Sequence, residues 1–598
     1  MNPHRSRVYL LLILFLALGL RTAHWLDVRK DPFIDKPIMD SYEYDRWGQE
    51  IAAGDWLGSE VFFQAPLYPY FLAAVYSVFG HSLDAVYLLQ ILIALAGIYA
   101  LYRGGLILHG PVAGLTAAAL AAGYGVFIHY DVQVLKESSA VACICFLLWG
   151  MLEVRRRPSS RLWLVLGLLS GVLCLLRENM LLVFPFLLFL AWNRKDRGRR
   201  IARNAALMTS GLFLVLLPVA FRNYIVGGVF APTTFQGGVN FYIGNNAGAS
   251  GTYQSIVPGK QMPWYERTEP IRIAERETGR KLSTTEVSRF WLNRALDWAV
   301  HHPLDFARLQ LKKTGMFWSW YEWPDAVDYY YVKHTSLILS LPLLEFGGLC
   351  VLFGCGLLLW RRRLSAFFPL FLFITAWMLS TVIFFLFSRY RLPVVPALLL
   401  IAAGGISLFL ETWEKRAVWI NGLCLVVVSG LMVFPLVFNF QPRMDIVHYN
   451  LGLIFEKEGN FLQAERHYGE SLRANPSHFL SHVNLGNIAA RKKDWSRAEF
   501  HYRKAVEFQP ESDGAIGNLA GALLALREPE KAEVLLEQAL RLNPDNILAL
   551  HNKAILLAQT GRIREALVLT EQVLQLSPGW PPADGLRRQL LVRMKEQK

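Results

Sequence analysis

Apolar runs near 20 residues long recur from residue 8 to about residue 440 and then stop. A helix needs roughly 17–25 apolar residues to cross a bilayer, so a chain with many such runs cannot fold as one water-soluble globule. Eleven spans are predicted: 8–26, 85–108, 112–130, 134–152, 161–176, 180–192, 203–221, 336–360, 365–386, 390–410 and 417–438. A further run, APLYPYFLAAVYSVFG (65–80), carries Pro66 and Pro69 near its start. The first run follows Arg5 and Arg7 and is followed by no small-residue cleavage pattern, which makes it a retained span with its N-terminus inside.

The basic residues set the sidedness. Net charge is +14, but the arginines cluster at 155–161, 194–203 and 361–363, each between apolar runs, where basic loops orient a membrane protein and nucleic acid is not a partner. If 65–80 does not cross, all three clusters fall inside, together with Lys415 and Arg416. That segment is therefore expected to be re-entrant or interfacial. The same choice puts 27–65, Asp131–Glu137, Arg177–Asn179, 222–335 and Ser388–Arg391 on the outer face. All six cysteines lie inside apolar runs and suit packing better than disulfides or metal.

Past residue 445 a period replaces the apolar runs. Pro476, Pro510, Pro544 and Pro578 are 34 residues apart, Ala464, Ala498, Ala532 and Ala566 recur with them, and Leu451–Gly452, Leu485–Gly486 and Leu519–Ala520 mark a close helix contact. This pattern resembles a tetratricopeptide array: four repeats over 445–580 and a capping helix over 581–598. Such arrays bind proteins along a concave surface; the plainer alternative is that this one only stabilises or dimerises the chain. The predicted fold is all-α throughout, a polytopic membrane domain over 1–440 followed by an α-solenoid.

Ionisable residues at membrane ends are costly and mark candidate sites. In MDSYEYDRWGQE (39–50), Asp40 stands where an N-cap belongs and Glu43 completes a capping box. Tyr44, Trp47 and Ile51 then share one helix face, and Gly54 supplies a stop. Lys136 and Glu137 interrupt two apolar runs, either as a local pair or as site residues, and Arg177–Glu178 fits a structural pair in a tight hairpin. Arg389, Tyr390 and Arg391 stand at the outward start of a span, where guanidinium forks suit the phosphate of a lipid carrier. Gly237–Gly238 and Gly244–Asn245–Asn246 allow close approach of a ligand, and asparagine amides can read sugar hydroxyls. The segment 291–325 is amphipathic and rich in tryptophan, as an interfacial helix would be.

Taken in order, MDSYEYDRWGQEIAAGDW, QAPLYPYFLAAVYSVFG, RNY followed by GGVNFYIGNN, and RYRLPVVP resemble the GT-C glycosyltransferase superfamily over roughly 1–440. The likeness is to its protein O-mannosyltransferase and lipid A aminoarabinose transferase branch. Ser41 replaces the usual second acid and Ala65 the first proline. The resemblance implies a sugar carried on polyprenyl phosphate, transferred with inversion to an acceptor hydroxyl. Asp40 would be the general base, with Glu43, Asp45 and Glu137 as secondary acids. Arg389, Arg391, Lys136 and Tyr390 would hold the donor phosphate, and Gln64, Arg222, Asn223, Asn245 and Asn246 would contact sugar or acceptor. No metal or other cofactor is demanded, because phosphate leaves without protonation, although a divalent ion could assist.

The attached array favours a protein acceptor over a lipid or envelope glycan. A transporter or flippase would show two halves of broken helices, which the sequence lacks, and a non-catalytic scaffold has no use for Asp40 and the two arginines. The expected setting is a bacterial inner membrane in preference to the endoplasmic reticulum, with the N-terminus cytoplasmic and the repeats outside.

Overall fold

The computed structural model describes residues 3–192, 198–258, 260, 263–361, 364–411, 422 and 443–596. The chain divides into two units, one of 1–254 with 267–442 and one of 255–266 with 443–598. Among the described residues there is no strand, only an isolated bridge between Tyr124 and Leu344.

Among the described residues of the first unit, six helices are long and apolar enough to cross a membrane: His4–Val28, Leu83–Ala122, Glu137–Arg156, Gly198–Gly227, Leu364–Val382 and Ser388–Glu411. Four shorter apolar helices accompany them: Leu67–Phe79, Ser160–Leu176, Met180–Ala191 and Phe346–Leu359. Residues 85–108 and 112–130 were expected as two spans. Leu83–Ala122 is one element broken at His109 and Gly110, where the backbone leaves helical values and Pro111 restarts it. Its second part stops at Ala122, and Gly125–Tyr130 is a separate short helix. The span expected over 336–360 begins only at Phe346. The expected span 417–438 lies outside the described residues. Leu67–Phe79 has 13 residues, or about 20 Å at ~1.5 Å per residue, less than the ~30 Å hydrocarbon core. The amphipathic segment 291–325 is broken at His302, with Thr284–His301 before it and Pro303–Phe317 after.

A buried polar network fixes the turn that leads into Glu137–Arg156. Arg21, on the first helix, donates from Nε to Asp131 at 2.7 Å and from Nη1 to the carbonyl of Ala122 at 3.1 Å. Ser138 Oγ donates to the other Asp131 oxygen at 2.5 Å. Gln90 donates to the carbonyls of Asp131 and Gln133 and accepts from Tyr68 Oη at 2.6 Å. Three helices, the first, Leu67–Phe79 and Leu83–Ala122, are thereby tied to 131–138, which holds Lys136 and Glu137 at the end of the bundle.

The second unit is a run of helix pairs at the 34-residue spacing: Met444–Lys457 with Phe461–Ala474, Phe479–Arg491 with Trp495–Phe508, Asp513–Ala525 with Pro529–Leu542, and Ile547–Gln559 with Ile563–Leu576. Helix Pro581–Glu596 follows. The four periodic alanines are fully buried. Gly452 and Gly486 lie face-on to Tyr468 and Tyr502, and a Cβ there would come within 2.4 and 2.5 Å of the ring. His448 and His467 bring their Nδ1 atoms to 3.2 Å, and 34 residues on His482 and His501 do so at 3.1 Å.

Candidate functional site

Asp40 does not cap its helix. Helix Met39–Ala52 is preceded by Ile38, which provides no side-chain cap, and Asp40 falls one residue inside the first turn. The chain enters the helix at Met39, whose φ is +50°, two residues earlier than the Asp40–Glu43 pattern predicts. The capping box is therefore not formed, and Glu43 bonds Arg46 at 2.9 Å instead. Asp45 is also committed, accepting from Tyr76 Oη at 2.6 Å and Gln49 at 2.9 Å, with His81 at 2.8 Å. Those contacts and the edge-to-face pair Tyr44–Tyr68 pin this helix to Leu67–Phe79. Gly48 permits the approach, since a Cβ there would meet Leu72 at 2.7 Å.

Freed from capping, the Asp40 carboxylate accepts from Gln64 Nε2 at 2.9 Å and from Arg389 at 2.6 Å. Arg389 is the hub. Its Nε lies 2.8 Å from Asp325, and a terminal nitrogen lies 3.9 Å from Glu137. Glu137 is paired with Arg177, which also donates to the Arg389 carbonyl at 3.2 Å. Lys136 lies 3.6 Å from Glu178 and 5.9 Å from the centre of the Tyr44 ring. The Tyr390 ring has the guanidinium of Arg177 at 5.2 Å and that of Arg389 at 5.3 Å. Residues from five separate stretches of the chain thus converge on one cluster of four carboxylates and three cations.

The two sequence-local pairs expected here, Lys136–Glu137 and Arg177–Glu178, are replaced by crossed ones, Lys136–Glu178 and Glu137–Arg177. Neighbours on a helix end point to different sides, so each finds its partner on the facing turn.

Arg391 is not in this cluster. Residues 388–391 form a helical turn, and two residues on a helix are separated by about 200°, so Arg389 and Arg391 point to nearly opposite sides. Arg391 donates to the carbonyls of Phe317, Ser319 and Tyr321 at 3.2, 2.6 and 2.9 Å, pairs with Glu322 at 2.9 Å and covers the Phe346 ring at 3.9 Å. It is a buried anchor for the 317–322 strand of loop. Ser388 N donates to the Trp323 carbonyl at 3.1 Å, and this docking delivers Asp325 to Arg389.

Of the five residues expected to contact sugar or acceptor, Gln64 alone reaches Asp40. Asn223 is fully buried and donates to the carbonyls of Ala231 and Thr233 while accepting from Phe62 N. Arg222 binds the carbonyls of Leu57 and Glu60 over the Phe62 ring. Asn245 bonds Phe241, Ile383, Gln310 and Lys313, and Asn246 bonds Tyr242 and Gly248. These four shape the loop. Asp325, Arg177 and Glu178 were not foreseen as site residues. The only sequence signal for Asp325 is an acid in an aromatic loop, EWPDAVD.

The electrostatics separate two carboxylates that share one guanidinium. Burial favours the neutral form of Asp40, but Arg389, Lys136 and the Gln64 hydrogen bond outweigh it and hold the group below the ordinary carboxylate value. Asp325 goes the other way: burial, with Asp40 and Glu137 nearby, overcomes Arg389 and pushes it up to about 6. The Asp40 and Asp325 side chains are 27% and 20% exposed, so both can meet a ligand, whereas Glu137 is sealed at 1%. A cleft opens beside Glu137 with walls that include Ala94, Gly97, Ile98, Val141 and Ala142.

Comparison with known proteins separates the two parts of the chain. Residues 64–221 match the family described as dolichyl-phosphate-mannose-protein mannosyltransferase. The match contains Gln64, Lys136, Glu137, Arg177 and Glu178; Asp40, Asp325 and Arg389 lie outside it. Residues 448–577 match the middle TPR-like domain of cilia and flagella-associated protein 70. No curated protein matches the chain. Among solved structures, the Arabidopsis OM64 TPR domain is 23% identical, with 19% of this chain and 93% of that one covered and a TM-score of 0.18. The MamA protein is 21% identical over 26% and 89%, with a TM-score of 0.22. PilF of Pseudomonas aeruginosa is 18% identical over 32% and 81%, with a TM-score of 0.23. The N-terminal part of the chain, a setting of apolar helices, thus resembles the dolichyl-phosphate-mannose-protein mannosyltransferase family over residues 64–221, and the C-terminal part is a tetratricopeptide-like repeat domain.

Proposed function

We propose that the protein moves a sugar from a polyprenyl-phosphate-linked donor to an acceptor hydroxyl at the outer face of the membrane, with inversion. The observation that carries this reading is the Asp40–Arg389 pair: an ionised, partly exposed carboxylate beside a buried guanidinium, set at the end of a bundle of apolar helices. Asp40 accepts the proton of the acceptor hydroxyl as its oxygen bonds to the anomeric carbon. The bond from that carbon to the phosphate oxygen breaks, and the polyprenyl phosphate leaves with the electron pair.

Arg389 and Lys136 are suited to stabilise the leaving phosphate, with Tyr390 beside them. Gln64 orients Asp40 and is the nearest candidate for a sugar or acceptor hydroxyl. Paired with Arg389, Asp40 is a weak base. Movement of Arg389 onto the phosphate raises its basicity at the step that needs it. The repeat domain supports a protein as acceptor or partner. The chemistry calls on no metal, and the proposed setting is a bacterial inner membrane with the site and the repeats outside.

The test is transfer of radiolabel from polyprenyl-phosphate sugars to candidate acceptors by the purified full chain. Transfer that is lost in Asp40→Asn is the expected result. Full transfer in that variant removes Asp40 as the base, and vectorial solute movement without any transfer would make the protein a transporter.

A further inference from the structure

Arg389 is overcommitted. Its Nε lies 2.8 Å from Asp325 as an ion pair without a hydrogen bond, one terminal nitrogen donates to Asp40 at 2.6 Å, and the other lies 3.9 Å from Glu137. A guanidinium binds phosphate best as a two-pronged fork, and here each edge already meets a carboxylate. One of the three must give way when an anionic donor arrives. Glu137 is sealed and held by Arg177. Asp40 is held by Gln64 as well and lies where the proton must be accepted. Asp325 sits on a loop, partly exposed, with its carboxylate between Arg389 and the Ala326 amide.

We propose that Asp325 is a positioning residue that governs access of the donor phosphate to Arg389: it aligns the guanidinium on Asp40 before the donor binds, and yields it, taking a proton from solvent, when phosphate takes its place. This rests on the reading of Arg389 as a donor-phosphate ligand. Charge favours it: the cluster holds four carboxylates and three cations, so adding an anion without protonating a carboxylate leaves excess negative charge in a poorly solvated site.

The charged groups facing Asp325 are Arg389, Asp40 and Glu137, with the Tyr390 and Tyr130 hydroxyls close by. Burial and the two neighbouring acids bring its titration to about 6, whereas Asp40 stays ionised through that range. Below that pH Asp325 is neutral and Arg389 is available. Above it the ionised carboxylate competes, and donor affinity falls as pH rises.

The purified full chain can be tested with farnesyl phosphate as the binding probe and a polyprenyl-phosphate sugar as the transfer donor, from pH 5.5 to 7.5. For the wild type, donor KM and the dissociation constant of the probe are expected to rise on the order of tenfold across the window. In Asp325→Asn the component due to the enzyme disappears and KM is lower at pH 7.5. The same variant loses kcat, because Asp40 is less well aligned, and Asp325→Glu restores the pH dependence. The probe's own titration is common to all variants and cancels in the comparison.

If Asp325→Asn binds and turns over with the wild-type pH profile, the proposal is overturned. Should that variant not fold, as judged by circular dichroism, a wild-type KM for the phosphodiester donor that does not change with pH overturns it equally. A chain that neither binds the probe nor transfers sugar at any pH would remove the glycosyltransferase reading, a result distinct from active transfer with an unaltered profile.

Discussion

The two units handle buried polarity in opposite ways. In the repeat domain the charged pairs stay at the surface, as with Arg503–Glu499 and Lys504–Glu507. Its interior polar contacts recur from repeat to repeat: Asp445–Asn475 and Asp513–Asn543, and the two histidine pairs. Each of these can be lost with one repeat. In the membrane-type unit the buried charges form groups that appear once, the Arg389 cluster and the Arg21–Asp131 and Arg391–Glu322 pairs, and each joins segments far apart in the chain. A periodic fold spreads its risk, whereas a site concentrates it, and substitutions should fall into two corresponding classes.

The largest effect belongs to the cluster. Asp40→Asn keeps the shape and removes the proposed proton acceptor, and kcat for sugar transfer should fall by about 10²–10⁴, with donor binding retained. Arg391→Ala comes next. It leaves Glu322 buried without its partner and unties the 317–322 loop, at about 3–5 kcal/mol; loss of hydrogen-exchange protection over that loop in nanodiscs would show it. If this variant keeps wild-type stability, the two units do not differ in how much a single buried charge contributes.

In the repeats, Gly486→Ala drives a methyl group into the Tyr502 ring and should cost about 1–3 kcal/mol. Gly514→Ala, where a Cβ meets nothing within 4 Å, should be neutral or stabilise by up to about 1 kcal/mol. Thermal melts of the two variants side by side check the pair. The histidine pairs make the repeats sensitive to acid. Burial lowers His501 to about 4, below its unfolded value near 6.5, so the unfolded chain binds the extra proton. Stability is complete above about 6.5 and declines as pH falls toward 4. Hydrogen exchange in helices 479–508 should quicken over that window, and less so in His501→Leu. The smallest effect is expected for Glu499→Gln, at about 0–1 kcal/mol for a surface pair.

The same division explains what could be read from residues in order. The repeats are legible because each carries its own prolines, alanines and close-packing glycines at a fixed interval. The apolar runs are legible because span length is set by the bilayer. Within the cluster, Asp40, Lys136 and Arg389 can be singled out as charges in costly places, but their pairing cannot. Glu137 meets Arg177 40 residues away, and Asp40 meets Arg389 349 residues away. Arg391 is misread by any scheme that treats Arg-Tyr-Arg as one patch, since the helical turn sends its two guanidinia apart. The spacing from Asp40 to Glu43 fits a cap as well as a site acid, and the pattern does not reveal that the helix already starts at Met39, ahead of Asp40. Asp325 reaches the site because Arg391 and Ser388 dock its loop, a tertiary cause with no local pattern.

The distance along the chain between Asp40 and Arg389 also sets an order of events during synthesis. Ribosomes add about 5–20 residues per second, so the acid exists for some tens of seconds before its guanidinium is made. Asp325 is made before Arg389 as well, and both carboxylates wait for the same partner. A chain cut short between residues 178 and 389 therefore carries Asp40 and the turns at Lys136 and Arg177 but not the guanidinium that joins them, and the cluster can close only after about two thirds of the chain has been made.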